Sequence, residues 1–462
     1  MQWLRIKSIE QLLSIEEGKK LHRQLTAFDL TLLGIGCIIG TGIFVLTGTA
    51  SANYAGPALV VSFLLAGFAC GCAALMYAEL ASMVPVSGSA YTYTYATMGE
   101  AAAWIMGWNL ILEYAVSAGA VSAGWSGYFV GILKTGGIEL PLSLTAVPAN
   151  GGIMNLPAIL ISLFVTFLLV LGTRESARFN AILVAIKLVA IFIFLIIAVP
   201  NINTDLWEPF MPYGFSGVST GAALIFFAYI GFDAVSTAAE ETKNPNRDVP
   251  IGLIASLLIC TVLYIVVSAT LTGIASYKDL DNAEPLAFAL RGIGYNWGSA
   301  LVATGALAGI TTVLLVLIYG QTRIFYAMAR DGMLPQGLVK LHPRYKTPHV
   351  ITIITGIVCA GFAGFMPINE IAELSNIGTL FAFVMVSIGV LIMRSAKPDL
   401  HRPFRCPAVW VVGILAVLSC GYLMISLPTL TWERFFIWSV IGILVYAFYG
   451  YRKSLLHPKA SG

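Results

Sequence analysis

Apolar runs of about 20 residues, the length that spans a hydrocarbon core, recur twelve times along the chain. They centre near Ile38, Ala66, Val116, Phe164, Ala190, Phe226, Val262, Leu314, Val358, Val384, Leu415 and Ile441, and the charges gather in the breaks between them. The pattern predicts an all-α polytopic membrane protein with twelve transmembrane helices. Residues 1–24 are polar and charged with no continuous apolar core, so no cleavable signal is expected and the amino terminus should stay in the cytoplasm. Twelve crossings from that start place the 26 basic residues on the cytoplasmic side, except Lys134, Lys278, Arg291 and Arg434 on the other face and Lys187 within a span. The positive-inside rule favours that arrangement, with both termini cytoplasmic, in a multi-pass protein of the cell membrane.

The polar stretches 135–152, 201–216, 277–297 and 332–348 are too short for an independent domain. We read a cytoplasmic segment over 1–24, a ten-span core over 25–393, two further spans over 394–452 and a cytoplasmic tail over 453–462. The first five spans and the next five correspond weakly: each block opens on a glycine-broken helix and has a long third helix rich in small residues. Because five is odd, the second block enters the membrane in the opposite sense, which predicts inverted-topology repeats with a site at their interface near the midplane.

Composition agrees with the membrane reading, since 58% of the 462 residues are apolar and 11% charged and mean hydropathy is +0.85. The net charge of +3 reflects the cytoplasmic loops, and no basic stripe with interleaved aromatics suggests nucleic acid. The seven cysteines are scattered, and Cys70 and Cys72 form a C-x-C rather than a zinc or redox spacing. No disulfide, metal or cofactor is expected, and no Walker loop, H-E-x-x-H or G-x-S-x-G elbow argues for an enzyme.

Two segments depart from the apolar pattern, Gly34-Ile-Gly-Cys-Ile-Ile-Gly-Thr-Gly-Ile-Phe44 and Phe226-Phe-Ala-Tyr-Ile-Gly-Phe-Asp233. Glycine inside a helix costs roughly 1 kcal/mol against alanine, so the cluster in the first span serves either close helix packing or a break; the matching pattern in span 6 favours a break. Non-helical backbone at membrane depth is tolerated only where it is enclosed in protein or lines a cavity. Each rupture exposes a positive N-terminal and a negative C-terminal helix end. The N–H groups of Ile38 to Gly42, Thr41 among them, suit a carboxylate; the carbonyls of Phe227, Ala228 and Ile230 suit an ammonium. Together they favour an α-amino acid, although a small anion or an amine is compatible with the same polarity.

Three ionisable residues lie inside the spans. Lys187, about two turns from Arg178, is too deep to snorkel and reads as a proton carrier or as a lysine held charged by backbone carbonyls. Glu113 shares a helix face with Asn109 and Ser117 and suits a proton relay, a ligand for a cationic substrate or a carboxyl satisfied by neighbouring hydroxyls. Asp233 follows the second break and favours either the N-terminus of the restarted helix or proton chemistry. Glu79, Glu240, Glu241 and Asp29 lie near cytoplasmic ends, solvated or paired with basic loops. Phe226, Phe227, Tyr229 and Phe232 crowd the second break mainly as packing, with one free to gate the cavity. In span 8, Gly305, Gly309 and Thr312 form a small-residue face, above which Leu317 and Ile318 shorten any side-chain pocket.

Four ordered motifs, the Gly34–Phe44 segment, Tyr77-Ala-Glu-Leu-Ala-Ser-Met-Val-Pro-Val-Ser-Gly-Ser-Ala-Tyr91, Phe227–Asp233 with Glu240-Glu-Thr-Lys-Asn-Pro245, and Tyr326-Ala-Met-Ala-Arg-Asp-Gly332, make the chain similar end to end to the amino acid–polyamine–organocation superfamily. Within it the chain most resembles bacterial homologues of the cationic amino acid transporters. The resemblance implies a LeuT-like fold of five-plus-five inverted repeats, discontinuous in helices 1 and 6, and amino acid uptake coupled to protons. It implies that Ile38, Thr41 and Gly42 hold the substrate carboxylate and that the carbonyls of Phe227, Ala228 and Ile230 hold its amine. It also makes Phe227 a gate, Lys187 the replacement for a sodium ion and Leu317 part of the side-chain pocket. Animal cationic transporters usually have fourteen spans, so twelve fit a bacterial protein; the cationic transporters carry a small polar residue where Leu317 stands, so small neutral amino acids, or a broad range that includes them, are the expected substrates. An exchanger or exporter, a cationic amino acid transporter and a non-transporting nutrient sensor are the rival readings; the long signalling tail of a sensor is missing. Lipid and a small amino acid are the expected partners.

Overall fold

The computed structural model describes residues 5–7, 25–84, 88–172, 177–345 and 347–454. Most of the two expected tails, Arg174 and the Pro85–Ser87 part of the second motif lie outside the described residues, as do the side chains of Arg178 and Glu240. Among the described residues there is no strand, only an isolated bridge between Leu25 and Thr242, and the protein is all-α. The principal helices are α1 (Ala27–Ile38), α2 (Leu59–Met83), α3 (Glu100–Thr135), α4 (Leu156–Leu171), α5 (Ala177–Ala198), α6 (Gly214–Ile225), α7 (Pro245–Ile274), α8 (Asn296–Arg330), α9 (His349–Phe365), α10 (Ile368–Ala396), α11 (Val409–Ile425) and α12 (Thr429–Val445).

Eight helical stretches among the described residues are long and apolar enough to cross a membrane, making this a multi-pass membrane protein. The apolar helices α1, α4, α9 and α11 are shorter. The twelve apolar runs and the eight long helices differ for local reasons. Backbone geometry ends α1 at Ile38, and the chain beyond it runs from Gly42 to Met83 as one 42-residue stretch; Asn155 caps the start of α4 by accepting from Ala158 N–H, and left-handed Gly172 ends it. At the start of α1, Asp29 proves to be a cap: its carboxylate accepts from Thr26 N–H at 2.9 Å, while Thr26 Oγ1 accepts from Asp29 N–H at 3.4 Å.

The long α3 is the packing centre, lying against α8, α10, α9 and α4, while α1 and α2 pack on α7. Small polar residues allow this proximity and pair across it, Ser162 donating to Ser122 at 2.7 Å and Ser126 to Asn155 at 2.6 Å. The outermost helix, α12, is held to α3 by reciprocal bonds: Trp108 Nε1 donates to the Trp438 carbonyl and Trp438 Nε1 to the Trp108 carbonyl, at 2.9 and 3.0 Å.

Glu79, at the end of α2, is only 1% exposed. Its carboxylate accepts from Arg394 Nε and Nη2 at 2.8 Å each and from Cys406 N–H at 2.8 Å, and Arg402 Nε lies 3.3 Å away. The paired alternative in the sequence reading is the one realised. Removing one member of a buried ion pair costs about 3–5 kcal/mol because the remaining charge is left uncompensated. Glu79→Ala is therefore expected to lower the melting temperature of the detergent-solubilised protein more than any substitution on the lipid face of α12.

Candidate functional site

The backbone leaves helical geometry at Ile39, where ψ is 103°, after Ile39 N–H bonds to the Ile35 carbonyl at 3.0 Å. It re-enters a helical path as a wide π-turn over Gly42–Leu46. The second segment follows a different course. α6 ends at Ile225, Phe226–Tyr229 form a tighter 3-10 turn, and Ile230 is extended with ψ 135°. Gly231 then takes φ +108°, a conformation that L side chains rarely adopt, before Ala234–Thr237 turns again. These glycines have a common purpose. A Cβ on Gly42 would stand 2.3 Å from Ala228 Cα, one on Gly231 3.1 Å from Cys37 Cβ, and one on Gly124 of α3 2.5 Å from Thr41 Cγ2. The two irregular segments therefore touch backbone to backbone.

Their polar ends are arranged with opposite sign. The chain restarts at Gly42 with N–H groups leading, and α6 with its 3-10 extension ends with carbonyls leading, so positive and negative helix ends meet at the Gly42–Ala228 contact. Tyr264 of α7 spans the junction, its hydroxyl 2.9 Å from the Ile38 carbonyl and 2.8 Å from the Ala228 carbonyl. Tyr128 of α3 donates to the Phe44 carbonyl at 2.7 Å.

Ile38, Thr41, Gly42, Phe227, Ile230 and Leu317 line one cavity of about 10 Å³ together with Ser117, Val121 and Val313. Ala228 forms the wall against Gly42. An adjoining cavity of about 40 Å³ is lined by Glu113, Asp233, Tyr114, Tyr319 and Arg323; Cys37, Ile230, Val313 and Leu317 border both. Glu113 is 2% exposed, and its Oε2 has no hydrogen-bond partner. Asp233 accepts from Ser89 Oγ at 3.4 Å and stands at the N-cap of Ala234–Thr237. The face that Glu113 shares with Asn109 and Ser117 packs on α10: Ser117 and Ser375 hydroxyls lie 2.5 Å apart, and Gly378 leaves room for Glu113.

Lys187 lines neither cavity. Fully buried, it reaches the end of α1 from behind and donates from Nζ to the Gly36 carbonyl at 2.7 Å and the Ile39 carbonyl at 3.0 Å. These are carbonyls at the C-terminal end of a helix that has lost its next turn, so a cation there meets the negative end of the dipole. The small face of α8 accommodates it: Gly305 faces Ala190, and a Cβ on Gly309 would sit 3.1 Å from Lys187 Cβ. That face is thus a seat for α5. The aromatics around the second break are packing, Phe226 and Phe232 against Phe383 and Tyr229 donating to the Phe63 carbonyl at 2.9 Å.

Two polar residues at the breaks escaped the sequence reading. Tyr264 looks like an ordinary aromatic in an apolar span. Asn376 of α10, which donates from Nδ2 to the Ala223 and Leu224 carbonyls at 2.7 and 2.9 Å, carries a usable signal: a buried amide in a membrane helix needs hydrogen-bond partners.

The comparisons point the same way. Residues 25–446 match the amino acid permease family. The chain is 50% identical over 459 residues to the branched-chain amino acid permease BcaP of Bacillus subtilis (strain 168), covering 98% of each protein. It is 48% identical over 455 residues to the methylthioribose transporter of the same organism, across 98% of this chain and 99% of the relative. Identity to the vacuolar cationic amino acid transporter 4 of Arabidopsis thaliana is 37% over 389 residues, across 82% of this chain and 64% of the relative. No metal-holding group of residues occurs among the described residues. By that match and those identities, the chain belongs to the amino acid permease family of the amino acid–polyamine–organocation superfamily, and is a secondary transporter of the membrane rather than an enzyme.

Proposed function

We propose that the protein is a proton-coupled symporter that imports small neutral L-amino acids by alternating access, with the zwitterion held between the two broken segments. The observation that carries this reading is the Gly42–Ala228 close approach beside one chamber that residues of both irregular segments line. In it the carboxylate meets the N–H groups of the Ile38–Gly42 segment that lie beyond Ile39, whose own N–H is taken by the Ile35 carbonyl, and the ammonium meets the carbonyls of Phe227, Ala228 and Ile230. The side chain lies against Val121, Val313 and Leu317, an apolar lining that favours aliphatic groups, branched ones included, over the charged ends of arginine or lysine. The relative named a branched-chain permease supports that preference. Opposed helix ends favour a zwitterion over a neutral thio-sugar, the ligand class of the methylthioribose relative.

Alternating access follows from the size of the chamber. About 10 Å³ is on the order of what one water requires, so an amino acid enters only when the walls part, and Phe227 is the gate on the carbonyl side. In this reading α1, α4, α9 and α11 complete twelve spans in a LeuT-like five-plus-five repeat over 25–393, with α11 and α12 outside it and both termini cytoplasmic in the cell membrane. Outside, protonated Lys187 is balanced by the carbonyls at the end of α1; loss of its proton to the cytoplasm weakens that tie and frees the substrate. Glu113 and Asp233, on the adjoining cavity, share in proton transfer. An obligate exchanger on the same fold is separated from this reading by asking whether uptake needs internal amino acid.

Thermal-shift screening of the purified protein against the twenty amino acids and methylthioribose, followed by pH-gradient uptake of the hits in proteoliposomes, tests the proposal. Aliphatic neutral amino acids should stabilise the protein and be accumulated when the outside is acid; stabilisation by methylthioribose alone would overturn it. Truncating the chamber wall should redirect the preference. Leu317→Ala removes three carbons from the side-chain pocket, each worth about 0.8 kcal/mol of burial, and the binding ratio of phenylalanine to alanine should rise in competition assays.

A further inference from the structure

We infer that Asn376 is a positioning residue of the binding site, its side-chain amide taking the carbonyls that α6 leaves behind where it unwinds. α6 changes from α to 3-10 geometry at Phe226, so the donors that an α-helix would bring to the Ala223 and Leu224 carbonyls move one residue back along the chain. At this depth no solvent replaces them, and an unpaired carbonyl is strongly disfavoured. Asn376, fully buried on α10, supplies Nδ2–H to the Ala223 carbonyl at 2.7 Å and to the Leu224 carbonyl at 2.9 Å. Its Oδ1 has no partner, so the amide is oriented by these two donated bonds alone.

The consequence falls on the next turn. Ala223 and Leu224 immediately precede the turn that presents the Phe227, Ala228 and Ile230 carbonyls, and fixing their carbonyls sideways stops α6 from continuing as a regular helix that would direct those groups along its own axis. The neighbouring residue ties the same stretch of α10 to the chamber, since Ser375 bonds Ser117, which lines it. Asn376 thus aims the ammonium-binding half of the site from behind without touching the ligand. Its two donated bonds both go to α6 and neither to the N–H half at Gly40–Gly42, so the two halves should respond differently to its loss. The inference rests on the reading above that those carbonyls receive a substrate ammonium.

Two measurements on the full chain test it, with Asn376→Leu, which keeps the branching of the side chain and removes the donors, and Asn376→Asp, which keeps shape and replaces the amide nitrogen by oxygen. Backbone hydrogen exchange followed by mass spectrometry should show faster exchange over 222–232 in both variants and unchanged exchange over 36–46. Binding of L-valine or whichever aliphatic amino acid stabilises the unaltered protein most should weaken about tenfold or more, equivalent to about 1.4 kcal/mol. Equal loosening of both segments, or unchanged exchange over 222–232, would overturn the positioning role. Faster exchange over 222–232 with unweakened binding would overturn its link to the ligand. If the unaltered protein binds no amino acid, the functional reading fails by that result alone, while the exchange data still decide whether Asn376 shapes α6. Should Asn376→Leu not fold, the isosteric Asn376→Asp carries both readouts.

Discussion

Lys187→Ala is expected to abolish proton-driven accumulation of amino acid in proteoliposomes while leaving exchange of internal for external substrate. Nζ joins α5 to two carbonyls at the severed end of α1, and hydrogen bonds to a charged donor contribute about 1.5–3 kcal/mol each. Alanine leaves both carbonyls without that donor and the site without its buried titratable cation. One charge moved inward across 100 mV supplies about 2.3 kcal/mol, enough for roughly fiftyfold accumulation; in the variant the ratio should fall to about one. Exchange should survive because it needs the walls of the chamber to part but draws no energy from the proton gradient. Undiminished uphill uptake by Lys187→Ala would exclude Lys187 as the coupling residue. Lys187→Arg should resemble alanine in accumulation, since guanidinium holds its proton, yet retain more thermal stability because it still donates to the carbonyls.

The second large effect is expected from a single methyl group. In Gly42→Ala the new Cβ would stand 2.3 Å from Ala228 Cα, 2.5 Å from its Cβ and 2.9 Å from its amide nitrogen. No flexible side chain is present to yield, so the two segments must separate along their backbones. Overpacking of this kind typically costs about 1–3 kcal/mol. Misplacing the two halves of the site relative to one another should weaken amino acid binding about tenfold or more. Gly361→Ala in α9 is the control, since a Cβ there meets nothing within 4 Å; it should bind and transport as the unaltered protein does. The two results together separate loss of a specific close approach from the general effect of substituting a membrane glycine.

Which features were legible beforehand follows from the range of the interactions involved. The irregular backbone is announced locally, because a cluster such as Gly34, Gly36, Gly40 and Gly42 opposes the helix in which it sits, while Ile38, Thr41, Gly42, Phe227, Ile230 and Leu317 lie around one small cavity. Lys187 was visible as a cation among apolar neighbours, but its partners lie about 150 residues away in sequence and leave no periodic trace. The same distance hides Tyr264 and Asn376: each is held against backbone carbonyls of other segments, and carbonyls have no sequence signature. The small face of α8 is legible as a face but not for its occupant, since glycine spacing says that something comes close without saying what. Glu79, near a helix end, looked solvated or paired, and only the fold of 394–406 over it decides between the two. Helix lengths were the coarsest reading, because a hydropathy window passes straight across the backbone turn at Ile39.

The most direct test of the central claim, that the two broken segments grip opposite ends of a zwitterion, is a structure determined with a bound aliphatic amino acid. The carboxylate should lie within hydrogen-bond distance of N–H groups between Ile38 and Gly42, and the ammonium within the same distance of the Phe227, Ala228 or Ile230 carbonyls. An amino acid found elsewhere, or one whose ammonium is held by Glu113 or Asp233 in the adjoining cavity, would contradict it.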